Sequence, residues 1–172
     1  MLKIRQKLFL ALFALLSIGL LSPTLFINRS IDREVKEEIT NTLLSHGRAF
    51  SLYLSQNSSL SVTDKASQYS SVTGLRITLI SQDGLVLGES GLNESQVSQM
   101  DNHLDRPEIQ MAKKEAFGVA TRYSSTLNKD FIYVAIKADF SPIFYIRVAQ
   151  TLDFAGSLIS LRQSYQYRII FL

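Results

Sequence analysis

A run of 20 residues without a single charge, Leu8–Ile27, constrains this chain before anything else, and Lys3, Arg5 and Lys7 stand in front of it. A helix rising about 1.5 Å per residue needs about 20 such residues to cross a hydrocarbon core of about 30 Å, so the run is long enough to span a bilayer. No acidic residue precedes it, and the positive-inside rule then keeps residues 1–7 in the cytoplasm as a flank and sends the rest of the chain outward. Gly19 and Pro23 are tolerated in such a helix. Ser17-Ile18-Gly19 offers a small-x-small cleavage site of the signal-peptide kind. Cleavage there would leave Leu20–Ile27 on the mature chain with nothing to cover it, so residues 8–27 are expected to be a transmembrane anchor. Ile169-Ile170-Phe171-Leu172 closes the sequence as though another apolar run were beginning. Residues 151–172 are accordingly expected to form a helix leading into a truncated second transmembrane segment. Between the two lie residues 28–150, about the size of one domain.

Charge divides the same way. The chain has 18 Lys+Arg against 15 Asp+Glu, and since three basic residues precede Leu8, the remainder is neutral. The pI near 9.2 therefore reflects the flank and carries no nucleic-acid footprint, which needs basic residues gathered on one face. With no cysteine, neither a disulfide framework nor a thiolate ligand or nucleophile is available. His46 and His103 are the only histidines, with no H-E-x-x-H or similar cluster, so neither a metal nor any other cofactor is expected.

Apolar positions at Ile31, Val35, Ile39, Leu43, His46, Phe50 and Tyr53 recur in steps of three and four, the stripe of one long helix running toward Ser55. The stripe is suited to packing on a sheet or on the same helix of a second subunit. Gln56–Ser61 is a polar break and Val62–Ser71 a short helix. Gly74 precedes a strand at Leu75–Ser81, and Asp83-Gly84 turns the chain back into Leu85–Gly88. A helix is expected over Pro107–Glu115. Strands follow at Val119–Ser125, Phe131–Lys137 and Ile143–Gln150, with loops at Thr126–Asp130 and Ala138–Pro142. This order predicts an α+β domain, one antiparallel sheet with helices packed against it.

The last two strands show their faces. Ile132, Val134, Ile136, Phe144, Ile146 and Val148 make one face wholly apolar, while Tyr133, Tyr145 and Arg147 mark the other. That second composition suits a ligand cavity or a partly wet sheet surface, the wet surface being the commoner case. Before the expected helix, Asp105 and Glu108 form a D-x-x-E arrangement of the capping-box kind, with Pro107 in the first turn. Asn57-Ser58-Ser59 and Asn93-Glu94-Ser95 fit the glycosylation sequon and are read as chance.

The strings Asp101-Asn102-His103-Leu104-Asp105-Arg106-Pro107-Glu108-Ile109, Thr121-Arg122-Tyr123-Ser124-Ser125-Thr126-Leu127 and Phe131-Ile132-Tyr133-Val134-Ala135-Ile136 carry a family likeness. With them the chain resembles the extracytoplasmic sensor region of PhoR-like (phosphate-regulon-type) bacterial histidine kinases, and Arg106-Pro107 resembles the R-P motif of Cache domains, relatives of the PAS fold. The resemblance implies a dimeric receptor in the bacterial inner membrane. Its Cache/PAS-like domain would be periplasmic, and a second transmembrane helix would pass the signal to a cytoplasmic kinase for phosphorelay. It also implies that Arg106 lies near a pocket rim. The kinase core of such proteins, with its phosphoacceptor helix pair and ATP-binding boxes, has no counterpart in these residues, so no catalytic activity is expected.

Candidate ligand-binding residues are His103, Arg106, Arg122, Tyr123, Tyr133, Tyr145 and Arg147. His103 is suited to sensing pH, since imidazole titrates near neutrality, or to contacting a ligand, or simply to holding its loop by local hydrogen bonds. Arg106 and Arg122 are suited to binding a carboxylate or phosphate in bidentate fashion, and equally to pinning a loop through Asp101, Asp105 or Glu108. Tyr123, Tyr133 and Tyr145 would line the same cavity if one exists, while tyrosines on strands mostly serve core or edge packing. Three functions stand open: a sensory input module that binds a small anionic ligand, a membrane-anchored interaction protein whose ectodomain binds an envelope partner, and an anchored enzyme. The last lacks a G-x-S-x-G elbow or paired-carboxylate spacing.

Overall fold

A computed structural model describes residues 3–55, 60–124 and 128–152, with the backbone alone at 20–32, 139 and 140. The elements are α1 (Ile4–Ser55), α2 (Val62–Thr73), β1 (Arg76–Ile80), β2 (Val86–Glu89), α3 (Glu94–Val97), α4 (Pro107–Lys114), β3 (Phe117–Ser124), β4 (Lys129–Phe140) and β5 (Ile143–Thr151). The chain divides into two compact units, residues 1–37 and 38–172, with the boundary inside α1. In the first unit Leu8, Phe9, Leu12, Phe13 and Ile18 are exposed apolar side chains. Among the described residues no helix is long and apolar enough to cross a membrane. The side chains of Leu20–Ile27, which complete the uncharged run, lie outside the described set, as does the expected C-terminal helix from residue 153 onward.

The second unit is built on one five-stranded antiparallel sheet in the order β2-β1-β5-β4-β3. This is the α+β architecture read from the sequence, with β5 at the centre between β1 and β4. The part of α1 within this unit, residues 38–55, packs on the face carrying Ile77, Leu79, Ile132, Val134, Ile136, Ile146 and Val148. Its Gly47 lies so near the sheet that a Cβ there would stand 3.4 Å from Ile136 and from Val148. The stripe is right at Ile39, Leu43 and Phe50, while Leu44, Gly47 and Leu54 are buried with them. His46 is half-buried and its Nδ1 lies 3.0 Å from the Tyr69 hydroxyl of α2. The ring of Phe50 meets that of Tyr69 edge-on at 4.8 Å. α2 runs to Thr73 and closes on Gly74, whose φ of 70° suits a residue without a side chain.

The opposite face carries Arg76, Thr78, Ile80, Glu89, Tyr145, Arg147, Ala149, Phe131, Tyr133, Ala135, Gly118, Ala120 and Arg122, all in cross-strand register. It is not a wet surface: Tyr133, Tyr145 and Arg147 are all buried. The reason is α4, which the short element α3 and the loop before it bring over the sheet. Asn93, read as a chance sequon, caps α3: its side chain accepts from the Gln96 N–H while the Gln96 side chain accepts from the Asn93 N–H. α4 then lies directly on β3, because Gly118 leaves no side chain in the way. A Cβ at Gly118 would fall 1.9 Å from the Glu108 carbonyl oxygen and 2.8 Å from the Ala112 nitrogen. Gly118→Ala therefore has to lift α4 from the sheet. It is expected to cost about 1–3 kcal/mol in urea unfolding of the full chain, and an unchanged midpoint would contradict this packing.

Candidate functional site

The centre of the covered face is Arg147 of β5, 3 % exposed. Burial disfavours its positive charge and lowers its pKa, and the carboxylates of Glu89 and Glu108 offset part of that. Glu89 reaches it from β2 because it pairs in register with Thr78, which in turn pairs with Arg147. Arg147 donates from Nη2 to Thr78 Oγ1 at 3.0 Å. Its Nη2 also stands 3.9 Å from Glu89 Oε2. The two oxygens of Glu89 are both engaged, one by Arg76 Nε and the other by the Thr78 hydroxyl. Glu108 comes from the first turn of α4, and its Oε1 accepts from Arg147 Nη1 and from Arg122 Nη2, each at 3.3 Å. Both glutamates are fully buried. The ring of Tyr133 lies between the cations, 4.6 Å from the Arg122 guanidinium carbon and 4.9 Å from that of Arg147, close enough for cation–π attraction.

The start of α4 corrects the capping box read at Asp105 and Glu108. The N-cap is Arg106, whose side chain makes no capping bond, and Pro107 occupies the first helical position. With its cap one residue later than expected, Glu108 turns inward to the arginines instead of back toward the chain. The loop before α4 is clamped on the β1–β2 turn. Asp83-Gly84 forms that turn as expected, with Gly84 at φ 89°. The His103 N–H donates to the Gly84 carbonyl at 2.8 Å and the Asn102 amide to the Asp83 carbonyl at 2.8 Å. A Cβ at Gly84 would meet Asn102 Oδ1 at 2.2 Å and Leu104 Cβ at 2.5 Å, so only glycine admits this contact.

Of the seven candidate residues, Arg122, Tyr133 and Arg147 meet in the cluster. Arg106 stands at the head of α4, half-buried, and its Nε is buried without a hydrogen-bond partner. His103 is 5 % exposed, with its Nδ1 2.7 Å from the Asp101 carbonyl oxygen, the local bond that the loop-holding role calls for. It is no neutral-pH sensor: burial first, then the positive charges of Arg147, Arg106 and Arg122, outweigh that bond and lower it to about 4. Tyr145 packs among Ile80, Ile109, Ala112 and Ala135 as core. Tyr123 stands apart, 59 % exposed on the other side of β3, where its hydroxyl meets Asn128 Oδ1. Arg76, Thr78 and Glu89 were missed. Their signal was present, since Arg76, Thr78 and Ile80 alternate along β1, but the partner row on β5 that gives those positions meaning is supplied only by the sheet register. Arg76 also lines a neighbouring cavity of about 480 Å³, with Thr42, His46, Ser90 and Phe131.

No protein-family model matches the sequence, and no curated protein matches it. Solved structures do. The ligand-binding domain of the Campylobacter jejuni chemoreceptor Tlp3 in complex with L-valine aligns with a TM-score of 0.57 at 17 % identity, covering 82 % of this chain and 65 % of that one. The sensory domain of the same chemoreceptor with isoleucine bound gives 0.54 at 18 % identity, covering 82 % and 64 %. The sensor domain of the V. cholerae histidine kinase DctB gives 0.48 at 15 % identity, covering 88 % and 60 %, too loose a likeness to carry the fold. The chain thus spans just under two thirds of the Tlp3 domains, and at these identities what it shares with them is a fold. That fold is α+β, one antiparallel sheet with helices packed against it, as the order of elements in the sequence predicts.

The histidine sets a test. A base whose folded value lies below its unfolded one, about 6.5, contributes stability that is full above pH 6.5 and is lost as pH falls toward 4. Comparison of the full chain with His103→Asn isolates this. The stability advantage of the native residue is expected to be flat above pH 7 and to shrink by about 3 kcal/mol by pH 4. An advantage that does not change with pH would contradict the buried, neutral imidazole.

Proposed function

We propose that this chain is the signal-sensing input module of a membrane receptor, and that the buried arginine cluster is where it takes a small anionic ligand. The observation that carries the reading is the charge set on one covered sheet face. Among the described residues Arg76, Arg122 and Arg147 gather around Glu89 and Glu108, and the Nε of Arg122 is left without a partner, as is that of Arg106 at the head of α4. Buried donors of this kind are costly to leave unmade, and a bound anion would satisfy them. The sharing of fold with chemoreceptor domains that carry L-valine and isoleucine supports a small ligand.

On this reading Leu8–Ile27 anchors the chain in a bacterial inner membrane, residues 28–150 stand outside it, and residues 151–172 lead back in. The exposed apolar side chains between Ile4 and Ile18 support an anchor, since water is a poor solvent for such a row. The likeness of Arg76–Gly88, Met100–Ala112 and Thr121–Ile136 to PhoR-like sensors supports a histidine kinase as the receptor. A homodimer, with the α1 helices paired, would couple the two domains. Binding would then act by favouring one of two arrangements of the module.

The test is thermal unfolding of the purified full chain against a panel of carboxylates, inorganic phosphate and amino acids. A ligand at 100 times its Kd is expected to raise stability by about 2.7 kcal/mol, and Arg122→Gln is expected to abolish the rise. A flat panel would refute a small-molecule site and favour the envelope-partner reading.

A further inference from the structure

We infer that Glu108 is a built-in competitor for the site, an internal carboxylate that holds from α4 the place a carboxylate ligand takes between Arg122 and Arg147, and that the ligand binds by displacing it. The inference rests on the anion-site reading above and deepens it to a ligand class and a determinant of affinity.

The contrast between the two buried glutamates carries the argument. Glu89 is fitted: one oxygen meets Arg76, the other meets Thr78, and Arg147 lies beside it. Glu108 is not. Its Oε1 is shared by two guanidiniums from two strands at 3.3 Å each, whereas a charge-assisted N–H···O bond settles near 2.7–2.9 Å. Its Oε2 is buried with no hydrogen-bond partner at all. A donor that would match that oxygen exists nearby, since the Nε of Arg122, whose Nη2 already meets Oε1, is buried and unpartnered too. Glu108 is carried by a helix whose backbone is packed directly against Gly118, so the placement of α4 sets how its carboxylate approaches the two guanidiniums. A free carboxylate has no such tether and can present both oxygens to one arginine. Glu108 itself shows that the gap between Arg122 and Arg147 accepts a carboxylate. Its eviction also has a mechanical consequence, because Glu108 sits in the first turn of α4, so occupancy of the site reads out as release of that helix from the arginines.

The experiment is isothermal titration of acetate, succinate and inorganic phosphate into the full chain and into Glu108→Gln at pH 7.5. Glu108→Gln is expected to bind acetate or succinate at least about tenfold more tightly than the unmodified chain, because a neutral amide competes weakly for the guanidiniums. Adding Arg122→Gln is expected to remove that gain. Equal or weaker carboxylate binding by Glu108→Gln, with binding to the unmodified chain intact, would overturn the inference and leave the anion site standing. Binding of phosphate alone would overturn the ligand class, and no binding by either protein would overturn the site itself. Should Glu108→Gln not fold, amide hydrogen exchange on the unmodified chain decides the matter. Saturating succinate is expected to speed exchange across Pro107–Lys114, and unchanged or slower exchange there would overturn displacement.

Discussion

Everything on the covered side of the sheet depends on keeping Arg147 charged in a place with almost no water. A guanidinium does not give up its proton in proteins, so it has to be compensated by groups brought to it. Two carboxylates do this from different parts of the chain, Glu89 from β2 by strand register and Glu108 from α4 by helix placement. Each in turn holds a second arginine, Arg76 and Arg122, which are less buried. Removing either carboxylate would leave a buried positive charge with one partner fewer, so the β1–β2 turn, the loop before α4, and α4 itself are bound by the same requirement.

One sheet therefore has two characters. The side facing α1 is aliphatic, and its packing extends to a bare glycine at position 47 so that the helix can approach closely. The side under α4 is ionic, and a second bare glycine, at 118, brings that helix near enough to place a carboxylate among the arginines. Burying ion pairs is not an economical way to stabilise a fold, because desolvation takes back much of the attraction. A domain that needed only stability would be served as well by apolar residues there. On the proposed reading the ionic face serves recognition, which needs fixed charges in a dry place.

Much of the architecture is legible in the sequence, and the reasons are local. Period-two alternation in β4 and β5, Asp83-Gly84 between β1 and β2, and Pro107 at the head of α4 each act within a few residues. What escapes a sequence reading is whatever depends on contact between distant segments. Asn93 fits a sequon as well as it fits a helix cap, and only the Gln96 side chain three residues on distinguishes them. Glu108 fits a capping box until the arginines of β3 and β5 are known to lie under it. Tyr123, Tyr133 and Tyr145 look alike on their strands, yet they end on an exposed surface, in the ionic cluster and in the core, because parity and depth within the sheet differ for each. His103 has an ordinary neighbourhood in sequence, and what suppresses its protonation is burial first and then three arginines, from the head of α4, β3 and β5.

The most direct test of this account is equilibrium unfolding of two variants of the full chain, Arg147→Met alone and Arg147→Met combined with Glu89→Leu and Glu108→Leu. If Arg147 and its two glutamates form one compensated unit, the single change leaves two fully buried carboxylates each with only one partly exposed arginine as counter-charge and costs about 3–5 kcal/mol, and the triple change recovers most of that loss. A triple variant as unstable as the single one would contradict the account, since the damage would then lie in lost packing and not in uncompensated charge.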